Sequence, residues 1–260
     1  MHHMGIGSTI MRFSTATRKA ARHSSGKVAN AVLGTTDAAL IGSIRGGAQP
    51  APPLAIYPDA VTQEEERALV AEAEQWFKPR SRSMPYLDSN ADNLIFGYRE
   101  LQKPLHAFAP TTRGVLERLI SAIFPKGSSL MRVHLLDLAA DGYILPHVDH
   151  TDYSGNHIVG LSLLTESVMT LHHVGSGVPD SGSYATWMPM RLPRRSLYVL
   201  TGDARFKWAH AVPKLPPKTS DSDPFGRLPA KGRRLAIILR DEAGKTNAPK
   251  WRRWNWRQDT

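Results

Sequence analysis

His147 and Asp149 stand two residues apart in GYILPHVDHTDYSGNHIVGLSLL, residues 142 to 164, at the end of an apolar run. On an extended chain this spacing turns both side chains to one face, so that an imidazole nitrogen and a carboxylate aim at the same point. A second histidine from a distant strand would complete the two-histidine, one-carboxylate face that binds Fe(II) and leaves coordination positions open. Alone, the pair suits a polar loop between core strands equally well. Candidates for the third donor lie downstream. His172 and His173 are adjacent and so point to opposite faces, while His157 opens the next strand. His210, in ARFKWAHAV, follows His147 by sixty-three residues, a separation expected if the chain crosses a sandwich and returns. His134, inside an apolar strand, reads as a hydrogen-bonded core residue, and His150 and His157 read as loop residues.

The strand RRLAIILR carries Arg234 and Arg240 six residues apart. They share one face and stand roughly 20 Å apart along the strand, a gap that two inward-reaching side chains close to about the length of a small dicarboxylate. A guanidinium on the inner face of an apolar strand requires an anionic partner. That partner is either a bound dianion or a carboxylate of the protein, for which Asp149 and Asp203 are available.

These groups need a scaffold, and the periodicity supplies one. After a short strand, LAIYP, comes AVTQEEERALVAEAEQWF, where Thr62 and Glu65 have the spacing of a capping box and Leu69, Val70, Ala73, Trp76 and Phe77 form one stripe. A second helix follows Pro110, with Val115, Leu116, Leu119, Ile120, Ile123 and Phe124 on one face until Pro125 ends it. From residue 130 the pattern changes to LMRVHLLDL, YILPH, HIVGLSLL, VMTLHHV, WMPMRL, SLYVL and RRLAIILR, seven short strand-like runs divided by Gly, Asp, Ser and Pro. Helices followed by strands predict an α+β domain, with the helices packed on an antiparallel sandwich or squat barrel of jelly-roll or cupin shape.

Composition limits the chemistry. Cysteine is absent, so any transition metal is held by histidine and carboxylate. No apolar run reaches the roughly 18 residues of a bilayer span, which predicts a soluble protein. The net charge of +10 is concentrated at the ends: residues 1–36 carry five basic side chains and no acid, the tail from 243 carries +4, and +1 remains for 37–242. A nucleic-acid groove built into the folded body would show an excess of Lys and Arg there. MRFSTATRKAARHSSGK, rich in Arg and Ser, has the composition of a mitochondrial presequence, which places 1–36 as leader. Residues 37–53, ending GGAQPAPP, read as a linker to a domain over 54–242. The tail, 243–260, alternates Trp and Arg in KWRRWNWRQDT, a pattern that either stacks on single-stranded RNA or packs on the domain.

His147, Asp149, His210, Arg234 and Arg240, set in TQEEE, FGYRE, HLLDLAADGYILPHVD, GLSLLTESVMTL, SLYVLTGDARFKWAH and GRRLAIILR, resemble the AlkB family of iron(II)- and 2-oxoglutarate-dependent dioxygenases, most nearly its mitochondrial branch. The resemblance runs from about Leu54 to Arg240 and implies a double-stranded β-helix core. It implies that His147, Asp149 and His210 hold Fe(II), that Arg234 and Tyr198 bind the distal carboxylate of 2-oxoglutarate, and that Arg240 binds the end that chelates iron. It also implies a reaction with 2-oxoglutarate and O2 that yields succinate, CO2 and a hydroxylated substrate, or formaldehyde where the oxidised carbon is an N-methyl.

Leu136 and Leu138 occupy positions where nucleic-acid repair members carry an Asn and a Tyr, and Thr151 stands where they carry a base-contacting Asp. Repair members also flip a base under an aromatic and basic lid. Here only PRSRSMPYLDSNADNLIFGYRELQKP lies between the helices, either a reduced lid or a packed connection, while GSGVPDSGSYATWMP, 175–189, is a second candidate cover. These departures favour a protein substrate and, through the resemblance, a role in mitochondrial matrix metabolism and damage-induced cell death. The alternatives are oxidative demethylation of RNA such as mitochondrial tRNA, and a metal-binding cupin-like module without turnover.

Overall fold

The capping box at Thr62 opens the first helix. Thr62 Oγ accepts from the Glu65 amide at 3.2 Å and the Glu65 carboxylate accepts from the Thr62 amide at 2.8 Å. A computed structural model describes residues 33–47, 49–78, 83–176, 186–214 and 231–244. Residues 1–32 of the expected presequence (1–36), 177–185 of the candidate cover (175–189) and 245–260 of the tail (243–260) lie outside the described residues.

Helix α1 (Gln63–Phe77) buries Leu69, Ala73 and Phe77, and α2 (Pro110–Ile123) buries Val115, Leu116, Leu119 and Ile123. Glu66, also buried on α1, accepts from the Leu164 amide and from Arg194, fastening the helix to two turns of the sheet. The strands are β1 (Leu54–Tyr57), β2 (Leu87–Ser89), β3 (Ile95–Lys103), β4 (Val133–His147), β5 (Ser154–Leu163), β6 (Ser167–His173), β7 (Trp187–Leu192), β8 (Leu197–Thr201), β9 (Trp208–Val212) and β10 (Arg234–Glu242). A short helix α3 (Gly202–Phe206) joins β8 to β9. The strand order is β1-β8-β5-β10-β4-β9-β6-β7, every pairing is antiparallel, and the β2–β3 hairpin adds to β4. The sheet curls into a nearly closed jelly roll, the double-stranded β-helix.

Alternation along the strands divides the core in two. Leu135 of β4, Val159 and Leu161 of β5, Leu197 and Val199 of β8, and Leu235, Ile237 and Leu239 of β10 face the helices. The other face of the same strands, with Leu136, Leu138, Ile158, Tyr198, Ala236 and Ile238, lines the barrel interior with Met169 and Leu171 of β6. Burying these two faces supplies the stability that fixes the position of the site, at roughly 25 cal/mol per Å² of apolar surface.

The structure corrects three expectations. LMRVHLLDL and YILPH belong largely to one strand, β4, rather than two. It bends without breaking at Gly142, which passes Gly97 at backbone contact: a Cβ on Gly142 would lie 2.4 Å from the Gly97 oxygen, and Gly97 itself has φ +61°. The segment between the helices contains the β2–β3 hairpin, so β3 lies between α1 and α2 in sequence. Part of the expected linker is docked: the Asp37 amide donates to Ile56 O of β1, and Arg45 and Trp187 of β7 exchange both backbone hydrogen bonds. Leu40, Ile41 and Ile44 pack on the interior cluster, so this segment ties together the two end strands of the sheet order.

Candidate active site

β4 ends at His147, and the loop that follows carries Asp149. His147 pairs in register with His210 of β9, which brings two residues far apart in sequence side by side, ring centroids 4.3 Å apart. Asp149 Oδ1 lies 3.4 Å from His147 Nε2 and 3.6 Å from His210 Nε2. Three donor atoms, one from each residue, fall within 4.8 Å of one another. The Nδ1 of His147 is 2.9 Å from the Leu145 carbonyl, which can only accept. Nδ1 therefore carries the proton and the Nε2 lone pair faces the other two donors.

Charge state suits a metal. Burial, with His147 alongside, pushes the His210 pKa down to about 3, so its imidazole is neutral. Burial opposes ionisation of Asp149, but the Arg240 guanidinium and the two imidazoles hold its carboxyl well below the usual carboxylate range. The two imidazoles and the carboxylate form a donor set that fits Fe(II).

Arg240 Nε donates to Asp149 Oδ2 at 2.5 Å, and Nη1 lies 3.2 Å from His134 Nδ1. The protein-carboxylate partner anticipated for an inner-face arginine is therefore realised at Arg240. Asp203, the other acid considered, pairs with Lys207 instead. Arg234 meets no carboxylate among the described residues. It is 3% exposed, its Nε donates to Ser162 Oγ at 3.0 Å, and its Nη2 is buried with no hydrogen-bond partner. The Tyr198 hydroxyl is held beside it; burial raises the pKa of that phenol, while Arg234 and Arg240 oppose the rise. An orphaned guanidinium N–H in a dry interior fits an anionic oxygen, and this is the feature that suits a carboxylate of 2-oxoglutarate.

The approach of Tyr198 depends on Gly160, its partner across β5 and β8. A Cβ at Gly160 would come within 2.2 Å of Tyr198 Cζ and 2.3 Å of its hydroxyl. The missing side chain is the space the ring occupies.

His150 is exposed in the loop, as expected, with its ring tilted against Tyr153 at 4.6 Å, whereas His157 is half-buried within β5, 3.0 Å from Asp241, and not in a loop. His172 and His173 lie on β6 against Trp187 and Trp208 and do not join the cluster. His134 is buried and hydrogen-bonded, as expected, and it also touches Arg240, which brings it into the site's surroundings. Arg205, which sequence reasoning passed over, is 1% exposed and donates to the carbonyls of Asp149, Ser154 and Gly155 at 3.1 to 3.2 Å, clamping the loop behind the metal-type cluster. A guanidinium held by backbone oxygens leaves no pattern in the sequence.

A double-stranded β-helix with His147 at the end of β4, Asp149 in the loop after it and His210 beside them on β9, and a buried arginine with one guanidinium nitrogen unpartnered among the described residues, has the architecture of a 2-oxoglutarate oxygenase. No family model matches the sequence. It is 35% identical over 208 residues to the Mus musculus protein named alpha-ketoglutarate-dependent dioxygenase alkB homolog 7, mitochondrial, spanning 79% of this chain and 83% of that one. The Bos taurus protein of the same name is 35% identical over 188 residues, 71% of this chain and 76% of its own. The chain belongs to the AlkB family and is an Fe(II)- and 2-oxoglutarate-dependent dioxygenase. A solved structure titled "The structure of OsALKBH1" matches with TM-score 0.50 at 13% identity, covering 74% of this chain and 98% of that one, a likeness of fold alone.

Proposed function

We propose that His147, Asp149 and His210 hold Fe(II), that Arg234 and Tyr198 bind the distal carboxylate of 2-oxoglutarate, that Arg240 steadies its other end, and that the enzyme hydroxylates a protein side chain in the mitochondrial matrix. The observation that carries the co-substrate assignment is the buried Nη2 of Arg234, a donor with no partner among the described residues. When bound, Fe(II) with 2-oxoglutarate and O2 supplies oxidation of a substrate C–H to C–OH, with succinate and CO2 as co-products. Asp149 contributes one oxygen toward the metal position while Arg240 holds the other. Leu136, Leu138 and Ile238 keep the floor of the site dry, which strengthens the ionic contacts of the arginines.

The preference for protein over RNA is supported by the segment between the helices. Among its described residues, Arg99 lies between the Phe77 and Tyr86 rings at 4.6 and 4.9 Å, and Phe96 stacks on Tyr143 at 4.5 Å. None of these rings is left as a base-flipping lid. The mitochondrial names of the relatives and the basic leader support the location. The tail over 243–260, almost wholly beyond the described residues, is the feature that favours RNA.

Succinate and formaldehyde release measured on mitochondrial protein extract and on methylated tRNA tests the reading. Turnover coupled to the extract is expected. Turnover coupled to tRNA and lost on removing residues 243–260 would replace protein by RNA, and absence of metal-dependent succinate release on every substrate would leave a binding module. Gly160→Ala is expected to displace Tyr198, raising the KM for 2-oxoglutarate roughly tenfold and lowering stability by about 1–3 kcal/mol. An unaltered KM with unaltered urea denaturation would show that Tyr198 keeps its place without help from Gly160.

A further inference from the structure

Behind Arg240 a row of side chains crosses three strands. Arg240 of β10 meets His134 of β4, and His134 Nε2 lies 2.7 Å from Glu100 Oε2 of β3. The register accounts for the row: His134 is opposite Ile238, two residues from Arg240, and Glu100 is opposite Leu136, two residues from His134. All point to the barrel-interior face, where diagonal neighbours on paired strands come within reach of long side chains.

We propose that His134 and Glu100 are positioning residues that set the guanidinium of Arg240, and through it the affinity for 2-oxoglutarate; this rests on the function proposed above. The chemistry of the row permits one proton arrangement. A guanidinium only donates, so His134 Nδ1 is the acceptor and the imidazole proton sits on Nε2, from where it is donated to the Glu100 carboxylate. Glu100 selects that tautomer. Without an acceptor at Nε2, the imidazole is free to carry its proton on Nδ1, where it faces the Arg240 N–H donor to donor and turns the guanidinium away. The bond with His134 lowers the Glu100 pKa, consistent with an ionised acceptor at the end of the row. Arg240 is thus held by two contacts in different directions, Asp149 at Nε and His134 at Nη1, which fixes its plane.

Packing alone is the competing account, and the two predict opposite orders. Leucine at 134 fills space but accepts nothing, whereas asparagine is smaller but places a carbonyl oxygen near the position of Nδ1. The test is calorimetric titration of 2-oxoglutarate into Mn(II)-loaded protein, with urea denaturation of each variant alongside. His134→Leu and Glu100→Leu are expected to weaken binding roughly tenfold, the scale of one charge-assisted hydrogen bond. His134→Asn and Glu100→Gln, which keep an acceptor, are expected to stay within about threefold of the unsubstituted protein. His134→Asn is expected to be less stable than His134→Leu even while it binds more tightly. Binding by His134→Leu at the unsubstituted level, or weaker binding by His134→Asn than by His134→Leu, overturns the relay and leaves the function intact. Glu100, whose side chain is 38% exposed, provides the second arm if position 134 does not tolerate change, and normal binding by Glu100→Leu likewise overturns it. No binding by the unsubstituted protein overturns the proposed function and the relay together.

Discussion

Asp149→Ala is expected to abolish metal-dependent 2-oxoglutarate turnover, by about 1000-fold or more, in a protein that still folds. The carboxylate has two tasks at once. Its Oδ1 faces the Nε2 atoms of both histidines, and its Oδ2 accepts from Arg240 at 2.5 Å. Alanine removes the only anion of the cluster, so a divalent cation would meet two imidazoles and a neighbouring guanidinium. The same change leaves Arg240 with His134 as its polar contact, which misplaces the group proposed to steady the co-substrate. Asp149→Asn separates the two effects, because its carbonyl oxygen still accepts from Arg240 while the charge is lost. Mn(II) affinity and succinate release measured on both variants decide the matter: both should lose the metal, with Asn keeping more of the unfolding free energy. Turnover near the unsubstituted level in either variant would remove Asp149 from the metal site.

The spacing of His147 and Asp149 suggested a metal-type cluster, and the family resemblance completed it with His210. The spacing of His147 and Asp149 and the pairing of Arg234 with Arg240 are two-residue periodicities, which survive wherever a chain is extended. β10 keeps Arg234, Ala236, Ile238 and Arg240 on one face, as alternation requires. The N-cap of α1 was equally plain, since Thr62 and Glu65 act within one turn. What stayed hidden depends on register between distant segments. β3 shows no clean alternation because Tyr98 and Arg99 are both buried on opposite faces, one in the barrel and one against α1. His134 looked like an ordinary core histidine because its tie to Glu100 exists only once β3 is laid beside β4. The docking of residues 37–45 also escaped notice, as Leu40, Ile41 and Ile44 among Ala, Gly and Ser resemble linker until unpaired sheet edges are supplied.

Asp137→Ala is expected to destabilise the protein by about 3–5 kcal/mol, which for a domain of this size lowers Tm by roughly 6–20 °C. Asp137 lies on the helix-facing side of β4 with no solvent exposure. It accepts from Arg99 Nε at 2.7 Å, from Arg233 Nε and Nη2 at 2.9 and 2.8 Å, and from the Tyr86 hydroxyl at 3.1 Å. Glu74 of α1 contacts the same two arginines and, at the surface, Lys78, so the two carboxylates tie α1, β3, β4 and β10 together through shared cations. Alanine leaves both guanidiniums facing a single carboxylate, and Arg99, enclosed by Phe77 and Tyr86, has little water to turn to. The loss comes from stranded charge more than from the pair's own net attraction, so an isosteric Asp137→Asn should lose less. Arg233 directly precedes Arg234, and alternation sends one to the ion network and the other into the barrel. Thermal unfolding and the KM for 2-oxoglutarate therefore report on opposite faces of one strand. A large fall in Tm with a KM within about threefold of normal is expected if β10 keeps its register through its long ladders with β4 and β5. A Tm shift under about 3 °C would mean that water already reaches the arginines. A KM that rises in step with the loss of stability would mean that the ion network holds the co-substrate arginine in place as well as the fold.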